Sequence, residues 1–269
     1  MGNKFIPRNK IKYLYYRIMA GVAYLKEIIN PPEDIDYKTV PIIINNFNRL
    51  DTLKKLISSL EARGYFNIFI IDNLSTYPPL LEYYRECQYK VFRLDVNIGT
   101  LALWKSGIIR QFENNFFIYT DSDVVPIEEC PEDFMLFFLN ALKKHKLAQK
   151  VGFSLKLDDI PDCNQLRDSI ISYEGHYYDY YNKDESLFRA PIGATFALYR
   201  PHGKYNHANN YIEIYRTAYP YMARHLPWYQ DTLNPDEEEK YYLERIGERT
   251  FWSKRSKQVL EQNIKNPKY

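Results

Sequence analysis

Residues 116–123 read Phe-Phe-Ile-Tyr-Thr-Asp-Ser-Asp, an apolar run that ends in two carboxylates. The run 116–120 predicts a buried β-strand, because aromatic and β-branched residues favour a pleated, buried backbone. Asp121 and Asp123 are two residues apart, so both carboxylates point to the same side of an extended chain. Such oxygen ligands suit Mg²⁺ or Mn²⁺, which also bind substrate phosphates. The stretch therefore predicts a strand with a divalent-metal site at its carboxyl end, although a solvated turn is the alternative.

Three more apolar runs precede this strand, and polar residues follow each of them. The runs are 40–45, 66–71 and 90–94, and their polar ends are Asn45-Asn46, Asp72-Asn73 and 95–97. Helix signals lie between and after the runs, at 51–64, 78–87, 100–112 and 131–145. Strands that alternate with helices predict a parallel α/β sheet, in which ligands bind beyond the carboxyl ends of the strands.

The composition excludes several classes of protein. With 45% hydrophobic and 26% charged residues, the chain is neither disordered nor a low-complexity scaffold. Three scattered cysteines argue against a disulfide framework and a structural zinc site, and so favour a cytoplasmic protein. The net charge of +2 argues against a nucleic-acid partner. The absence of a Gly-rich phosphate loop from the sequence disfavours a dehydrogenase or a P-loop enzyme.

The positive charge is concentrated at the two ends of the chain. Residues 1–30 and 249–269 each carry a net +5, which leaves −8 on the residues between them. Apolar residues recur at helical spacing near the start: Ile11, Leu14, Tyr15, Ile18, Val22, Leu25 and Ile29. Arg17 and Lys26 interrupt this pattern too early for a transmembrane span, and no signal-peptide cleavage pattern follows. Two interpretations stay open: a helix packed on the domain with a basic outer face, and a helix lying on anionic lipid.

Five stretches in order resemble the nucleotide-sugar glycosyltransferases of the GT-A fold, in particular glycosyltransferase family 2. They are Pro41-Ile-Ile-Ile-Asn-Asn-Phe-Asn-Arg49, Ile70-Ile-Asp-Asn-Leu-Ser75, Asn97-Ile-Gly99, Tyr119-Thr-Asp-Ser-Asp123 and Gly193-Ala-Thr-Phe-Ala-Leu-Tyr-Arg200. The resemblance covers roughly residues 40–200 and implies an α/β, Rossmann-like GT-A fold with a mostly parallel central sheet flanked by helices. Together with the charge pattern, the resemblance predicts a basic amphipathic helix and linker (1–38), a GT-A domain (39–248, divided into a nucleotide half, 39–125, and an acceptor half, 126–248) with a helical or irregular C-terminal part, and a basic tail (249–269).

The resemblance also implies roles for individual residues. The donor nucleotide would be bound by Asn45, Asn48, Arg49, Asp72, Asn73, Ser75, Asn97, Gly99, Lys105 and Asp121, with Asp72 accepting a hydrogen bond from uracil. Asp121 and Asp123 would hold Mn²⁺ or Mg²⁺, with His225 as a further ligand. The acceptor sugar would lie near Gly193, Ala194, Thr195, Trp228 and Tyr229. Each role has an alternative. The Asn, Asp and Gly residues could simply form turns, and His225 could be hydrogen-bonded near Trp228. Trp228 and Tyr229 could be packed in a core.

The expected general base has two candidates, Asp231 and the acidic run 236–239. The run is explained as the start of a helix, with Asn234 as its N-cap, so Asp231 is preferred. The expected function is transfer of a sugar from a nucleotide-sugar donor, with a UDP-sugar favoured, to a hydroxyl of a glycan or lipid-linked saccharide. Inversion is favoured and a retaining route stays open.

Two other functions remain open, a catalytically silent sugar-binding or complex-forming protein of the same fold and a sugar nucleotidyltransferase. Family analogy and the basic termini favour a role in bacterial surface-polysaccharide assembly. The expected location is then the cytoplasm, with peripheral contact at the inner face of the cell membrane as a further expectation.

Overall fold

The computed structural model describes residues 10–32, 36–178, 181–182, 185–192, 196–203, 212–246 and 250–265. The strands are β1 Ile42–Asn46, β2 Ile68–Asp72, β3 Lys90–Arg93, β4 Phe117–Asp121, β5 Val124–Pro126, β6 Ala148–Gly152, β7 Ser154–Leu155, β8 Tyr181–Asn182, β9 Leu187–Phe188, β10 Phe196–Tyr199, β11 Glu213–Thr217 and β12 Met222–His225. The helices are α1 Lys10–Ile29, α2 Asp51–Glu61, α3 Pro78–Glu86, α4 Ala102–Lys105, α5 Phe134–Lys144, α6 Arg167–Gly175, α7 Glu237–Arg245 and α8 Phe251–Lys265. None of these helices is both long and apolar enough to cross a bilayer.

A central sheet of nine described strands has the order β3-β2-β1-β4-β10-β6-β11-β9-β8. The strands β3, β2, β1 and β4 are parallel, and β10 enters antiparallel between β4 and β6. A second sheet has the order β5-β12-β7. The predicted α/β fold with a central sheet flanked by helices is therefore confirmed, and it is consistent with the GT-A fold.

The strand sequences are continuously apolar because the sheet is covered on both faces. On β1, Ile42 and Ile44 belong to one core cluster, and Ile43 belongs to the cluster on the other face. The first cluster includes α2, α5 and a group of packed aromatic rings, in which Phe134 lies 5.0 Å from Phe153. All five residues of β1 are buried, so its polar residues, Asn45 and Asn46, lie inside the protein.

The register of the parallel strands brings their polar ends together. Asn45 pairs with Asp121 across β1 and β4, and Asn46 pairs with Asp72 across β1 and β2. The predicted convergence of these residues at one edge of the sheet follows directly from this register.

The predicted helix at 100–112 is wrong as a continuous element. Gly107 has a φ of +78°, which ends the short helix α4 and favours glycine. Single 3₁₀ turns flank α4, at Gly99–Leu101 and Ile108–Gln111. The segment therefore forms a wall of short turns beside the carboxyl ends of the strands.

Candidate functional site

A cleft of about 670 Å³ lies at the carboxyl ends of β1 and β4. Its floor includes Asn45, Asn73, Asp121 and Asp123, and one wall is the segment 97–101 with Lys105. The opposite wall comes from the second half of the chain: Tyr173, Glu174, His225, Trp228, Tyr242, Ile246 and residues 250–253. The volume falls within the range of pockets that bind small molecules.

Asn73 connects the floor to the wall at 97–101. Its amide nitrogen donates to Asn45 Oδ1 at 3.0 Å and to the Gly99 carbonyl at 2.9 Å, and its Oδ1 accepts from Ile98 N at 2.9 Å. Asn97 Oδ1 accepts from Gly99 N at 3.0 Å, which closes the turn. The buried amide of Asn73 therefore sets the position of the backbone that forms this wall of the cleft.

Three of the predicted donor residues, Asn48, Asp72 and Ser75, support the loops after β1 and β2. They are not among the residues that line the cleft. Asn48 N donates to Ser75 Oγ at 2.8 Å, and Asn48 Oδ1 accepts from Thr76 N at 2.7 Å. Asp72 is fully buried, and its oxygens accept from Ser75 N at 3.2 Å and Arg93 Nε at 3.2 Å. Hydrogen bonding to uracil by Asp72 stays a prediction that this arrangement does not support, because the side chain is fully buried and does not line the cleft.

The carboxylate of Asp123 lies between a cation and a histidine. Its Oδ2 is 3.5 Å from Arg49 Nε, and its Oδ1 is 3.6 Å from His225 Nε2. Burial lowers the pKa of His225, an effect that Asp123 opposes, so the imidazole is neutral near pH 7. Among the described residues, Asp123 Oδ1 and His225 Nδ1 are buried without a hydrogen-bond partner. They are two of several such atoms in the described residues, and because both residues line the cleft, a bound ligand could supply the partner.

A divalent cation fits this part of the cleft. Asp123 and a neutral His225 offer two ligand atoms that face each other beyond hydrogen-bond distance, and Asp121 lines the same cleft. In the described part of the chain, no three His, Cys, Asp or Glu side chains are close enough to form a complete metal cluster. Mg²⁺ and similar ions commonly use one or two carboxylates and take their other ligands from water and substrate phosphates.

Arg49 lies in the wall of the cleft and is held by α7. Its Nη1 is 2.5 Å from Glu239 Oε2, and its guanidinium lies 3.7 Å from the ring centre of Tyr242. Burial alone would lower the pKa of Arg49, but Glu239, Tyr242 and Asp123 raise it by more. The net pKa lies above its usual value, so the guanidinium stays charged. Arg49 therefore ties the first strand to the C-terminal helices.

The acidic run 236–239 has a structural role that goes beyond the predicted helix start. The N-cap of α7 is Asp236, whose Oδ1 accepts from Glu239 N at 2.7 Å, so the prediction of Asn234 as the cap is wrong. Glu238 Oε2 accepts from Leu50 N at 2.6 Å and from Asp51 N at 2.9 Å, so a side chain of α7 caps the start of α2. These buried acids hold α7 against the start of the domain.

The preferred base, Asp231, supports a turn and is not among the residues that line the cleft. Its carboxylate accepts from Leu233 N at 2.8 Å and from Asn234 Nδ2 at 2.9 Å. The hydrogen bond from Asn234 is the main cause that lowers the pKa of Asp231. The geometry gives Asp231 a structural role and does not support its prediction as a base.

Of the predicted acceptor residues that the structure describes, Trp228 lines the cleft and Tyr229 does not. Trp228 lines the cleft but is 3% exposed, with its ring packed 4.8 Å from His225. Tyr229 donates to Asp159 Oδ1 at 2.6 Å and is not among the cleft residues, so its ring is part of the protein's packing. Gly193, Ala194 and Thr195 lie outside the described residues.

Sequence reasoning missed Glu174 and the aromatic residues of α8. Glu174 is 1% exposed, lines the cleft and pairs with the buried Arg216 at 2.7 Å. The ring of Tyr173 lies 5.7 Å from that of Trp252, so α6 and α8 meet beside the cleft. No local pattern marks these residues, because their positions depend on packing between distant segments.

No protein-family model matches the chain, and no curated protein matches it significantly. TarS from S. aureus, also solved with UDP, is similar over 84% of this chain and 70% of a TarS fragment, with 13% identity and a TM-score of 0.41. A longer TarS chain is covered over 43% of its length. Glucosyl-3-phosphoglycerate synthase from Mycobacterium tuberculosis, solved with Mn²⁺ and UDP-glucose, is similar over 67% of this chain and 61% of its own, with 13% identity and a TM-score of 0.39. 

A cytidylyltransferase from Leptospira borgpetersenii is similar over 86% of this chain and 98% of its own, with 12% identity and a TM-score of 0.37. Likenesses at this level of identity and TM-score do not assign a function. Any functional conclusion for this chain therefore depends on the residues of the cleft.

Proposed function

We propose that the protein is a metal-dependent glycosyltransferase that moves a sugar from a nucleotide-sugar donor to a hydroxyl group. The observation that supports this most strongly is the buried, unpartnered Asp123 Oδ1, which lies 3.6 Å from a neutral His225 in the same cleft as Asp121. A divalent ion held there, Mn²⁺ or Mg²⁺, would be neutralised in part by the two carboxylates. When bound, it would stabilise the negative charge that develops on a leaving diphosphate.

The donor would lie between the strand ends and the wall at 97–101. Asn45 lies in the floor of the cleft, residues 97–101 form the wall beside it, and Lys105 adds a positive charge to the same lining. The wall is held by two hydrogen bonds of Asn73, whose amide nitrogen also donates to Asn45 in the floor, so it is preorganised for a ligand. A UDP-sugar remains our preferred donor on the basis of the sequence resemblance.

Glu174 is our candidate for the carboxylate on the acceptor side. It is the third carboxylate of the described cleft lining, besides Asp121 and Asp123. A hydroxyl acceptor loses its proton as it attacks, and a fixed carboxylate can accept that proton. Arg216 Nη1 contacts Glu174 Oε2 at 2.7 Å, which fixes its orientation. Inversion at the anomeric carbon would follow from one displacement of this kind.

The acceptor class rests on the sequence resemblance alone. A hydroxyl of a glycan or a lipid-linked saccharide, as in bacterial surface-polysaccharide assembly, agrees with that resemblance. The nucleotidyltransferase alternative has less support, because residues 47–51, which follow β1, contain no glycine-rich phosphate loop.

The decisive experiment is calorimetric titration of the full chain with UDP, with and without Mn²⁺. We expect binding that requires the metal, and we expect Asp123→Asn to weaken it by at least about tenfold. Asp231→Asn is the matched control, because it makes the same change at a carboxylate outside the cleft lining. UDP binding that is absent, or that is equal with and without Mn²⁺, would refute the proposed site.

A second assay separates an enzyme from a silent binding protein of the same fold. A panel of nucleotide sugars is incubated with the protein and Mn²⁺, and release of the nucleoside diphosphate is followed. Metal-dependent UDP binding without turnover of any donor, with and without saccharide acceptors, would favour the binding protein.

A further inference from the structure

The helix α1 presents its apolar face away from the rest of the protein. Six of its large apolar side chains are between 38% and 82% exposed: Ile11, Leu14, Ile18, Val22, Leu25 and Ile29. The buried residues described for α1 are Ala20 and Ala23. At 3.6 residues per turn, these alanines lie on the side of the helix opposite the large apolar residues. The helix does pack on the domain, as one of the two interpretations expected, but through its alanine side, so its outer face carries the apolar residues.

Specific contacts fix this orientation of α1. Glu27 forms an ion pair with Arg200, which is fully buried and also donates through Nε to the Ala148 carbonyl at 2.8 Å. The ring of Tyr24 lies 5.8 Å from the guanidinium of Arg200 and 5.6 Å from Lys146 Nζ. Because these contacts involve the alanine side of the helix, rotation that buries the apolar face would break them.

Positive charges flank the exposed apolar strip on both sides. At 3.6 residues per turn, Lys10 and Arg17 lie along one edge, and Lys12 and Lys26 lie along the other. Glu27 is the one acidic residue in the sequence of α1, and it faces inward to Arg200. An apolar strip between two basic edges matches an anionic lipid surface, where the apolar side chains enter the headgroup boundary and the cations contact phosphates.

A second copy of the chain is a poorer match for this face. Two α1 helices packed by their apolar strips would bring their basic edges together. The helix is about 30 Å long and about 10 Å wide, so the strip offers about 300 Å². A stable interface commonly buries about 800 Å² on each partner.

We propose that α1 is a membrane-surface helix that holds the protein on an anionic bilayer. It lies in the plane of the membrane with the strip Ile11–Ile29 inserted at the headgroup level. Arg200 follows β10, whose Tyr199 pairs with Phe117 at the start of β4, whereas the cleft lies at the other end of β4. The anchor and the proposed glycosyl-transfer site are therefore at opposite ends of the central sheet.

Co-sedimentation of the full chain with lipid vesicles tests the proposal. The vesicles consist of phosphatidylcholine alone, or of phosphatidylcholine with roughly a third of phosphatidylglycerol. We expect the apparent affinity for the anionic vesicles to be at least about tenfold higher. We expect Ile18→Glu combined with Leu25→Glu to reduce it by at least about tenfold, because both side chains are 56% exposed on the strip.

The control is Phe66→Glu combined with Leu136→Glu, which adds the same charge at exposed apolar positions outside α1. We expect this control to bind anionic vesicles like the unmodified protein. A third variant, Lys10→Gln with Arg17→Gln and Lys26→Gln, leaves the strip intact and should bind anionic vesicles more weakly. It also keeps the test valid if the glutamate pair disturbs folding.

Three results would overturn the proposal. The first is equal binding to neutral and anionic vesicles, and the second is an equal loss of binding in the Phe66→Glu and Leu136→Glu control. The third is a dimer of the unmodified protein without lipid, seen by sedimentation velocity, that becomes a monomer in the Ile18→Glu and Leu25→Glu variant. The last result would assign the face to a second copy of the chain. None of these readouts depends on glycosyl transfer, so they are independent of the proposed function.

Discussion

Replacement of Arg49 by methionine tests whether the buried ion pair holds the two halves of the cleft together. Arg49 Nη1 contacts Glu239 at 2.5 Å, both side chains are less than 10% exposed, and the guanidinium covers the ring of Tyr242 at 3.7 Å. Methionine keeps much of the length of the side chain but leaves the carboxylate of Glu239 buried without its partner. Breaking a buried pair in this way costs about 3–5 kcal/mol.

Arg245 provides a closely matched control in α7, the helix that carries Glu239. It pairs with Glu244 at 2.8 Å and lies 3.5 Å over the ring of Tyr241, but its side chain is 38% exposed and that of Glu244 is 70% exposed. Exposed pairs contribute at most about 1 kcal/mol, so Arg245→Met should change stability little. The two substitutions share their chemistry and differ in burial.

The assay is urea unfolding followed by circular dichroism, with the free energy of unfolding extrapolated to water. We expect Arg49→Met to lose at least about 2 kcal/mol more than Arg245→Met. We expect Arg49→Met combined with Glu239→Leu to recover part of this loss, since the uncompensated carboxylate is then absent. Equal losses for the two arginine variants would refute the conclusion that this pair stabilises the cleft.

Three more predictions concern the cleft and the sheet. Glu174→Gln should lower the rate of sugar transfer by about 10²–10⁴-fold in a turnover assay without changing the affinity for UDP, whereas Asp231→Asn should preserve both. In urea unfolding, Gly152→Ala should lower the free energy of unfolding by about 1–3 kcal/mol, because the added Cβ would lie 2.3 Å from a backbone oxygen of the neighbouring strand. Gly175→Ala should lower it by less, because open space surrounds that position. Burial lowers the pKa of Lys150 to about 8, so the unfolded chain binds this proton more tightly, and the contribution of Lys150 to stability should rise between about pH 8 and 10.5. Lys150→Met should remove that rise in unfolding measurements across the range, and an unchanged pH profile would contradict the assignment.

The sequence predicted the parts of the fold that depend on local pattern. The runs at β1, β2 and β4 are apolar and bounded by polar residues, so their strand character and common polar edge could be derived without coordinates. The carboxylates Asp121 and Asp123 were found in the same way, since their spacing and position at a strand end are local features. The start of the acidic helix α7 was also predicted, although its cap was assigned two residues too early.

Only the tertiary structure decided which polar residues face the cleft. Asp72 and Asp231 carry the residue type expected of functional acids, yet the fold uses their oxygens to support loops. Glu174 has no distinguishing local pattern, and it lines the cleft through packing of α6 near α8. The partners Arg49 and Glu239 are 190 positions apart, a separation over which periodicity carries no information.

The helix α1 shows the same division between local and tertiary information. Its sequence determined that one face is apolar and that basic residues lie along the edges, because both follow from the helical repeat. Which face meets the protein was decided by Ala20, Ala23 and the ion pair of Glu27 with the buried Arg200. The reason is that a helical pattern fixes angles around the helix axis, whereas burial depends on a partner surface supplied by residues far along the chain.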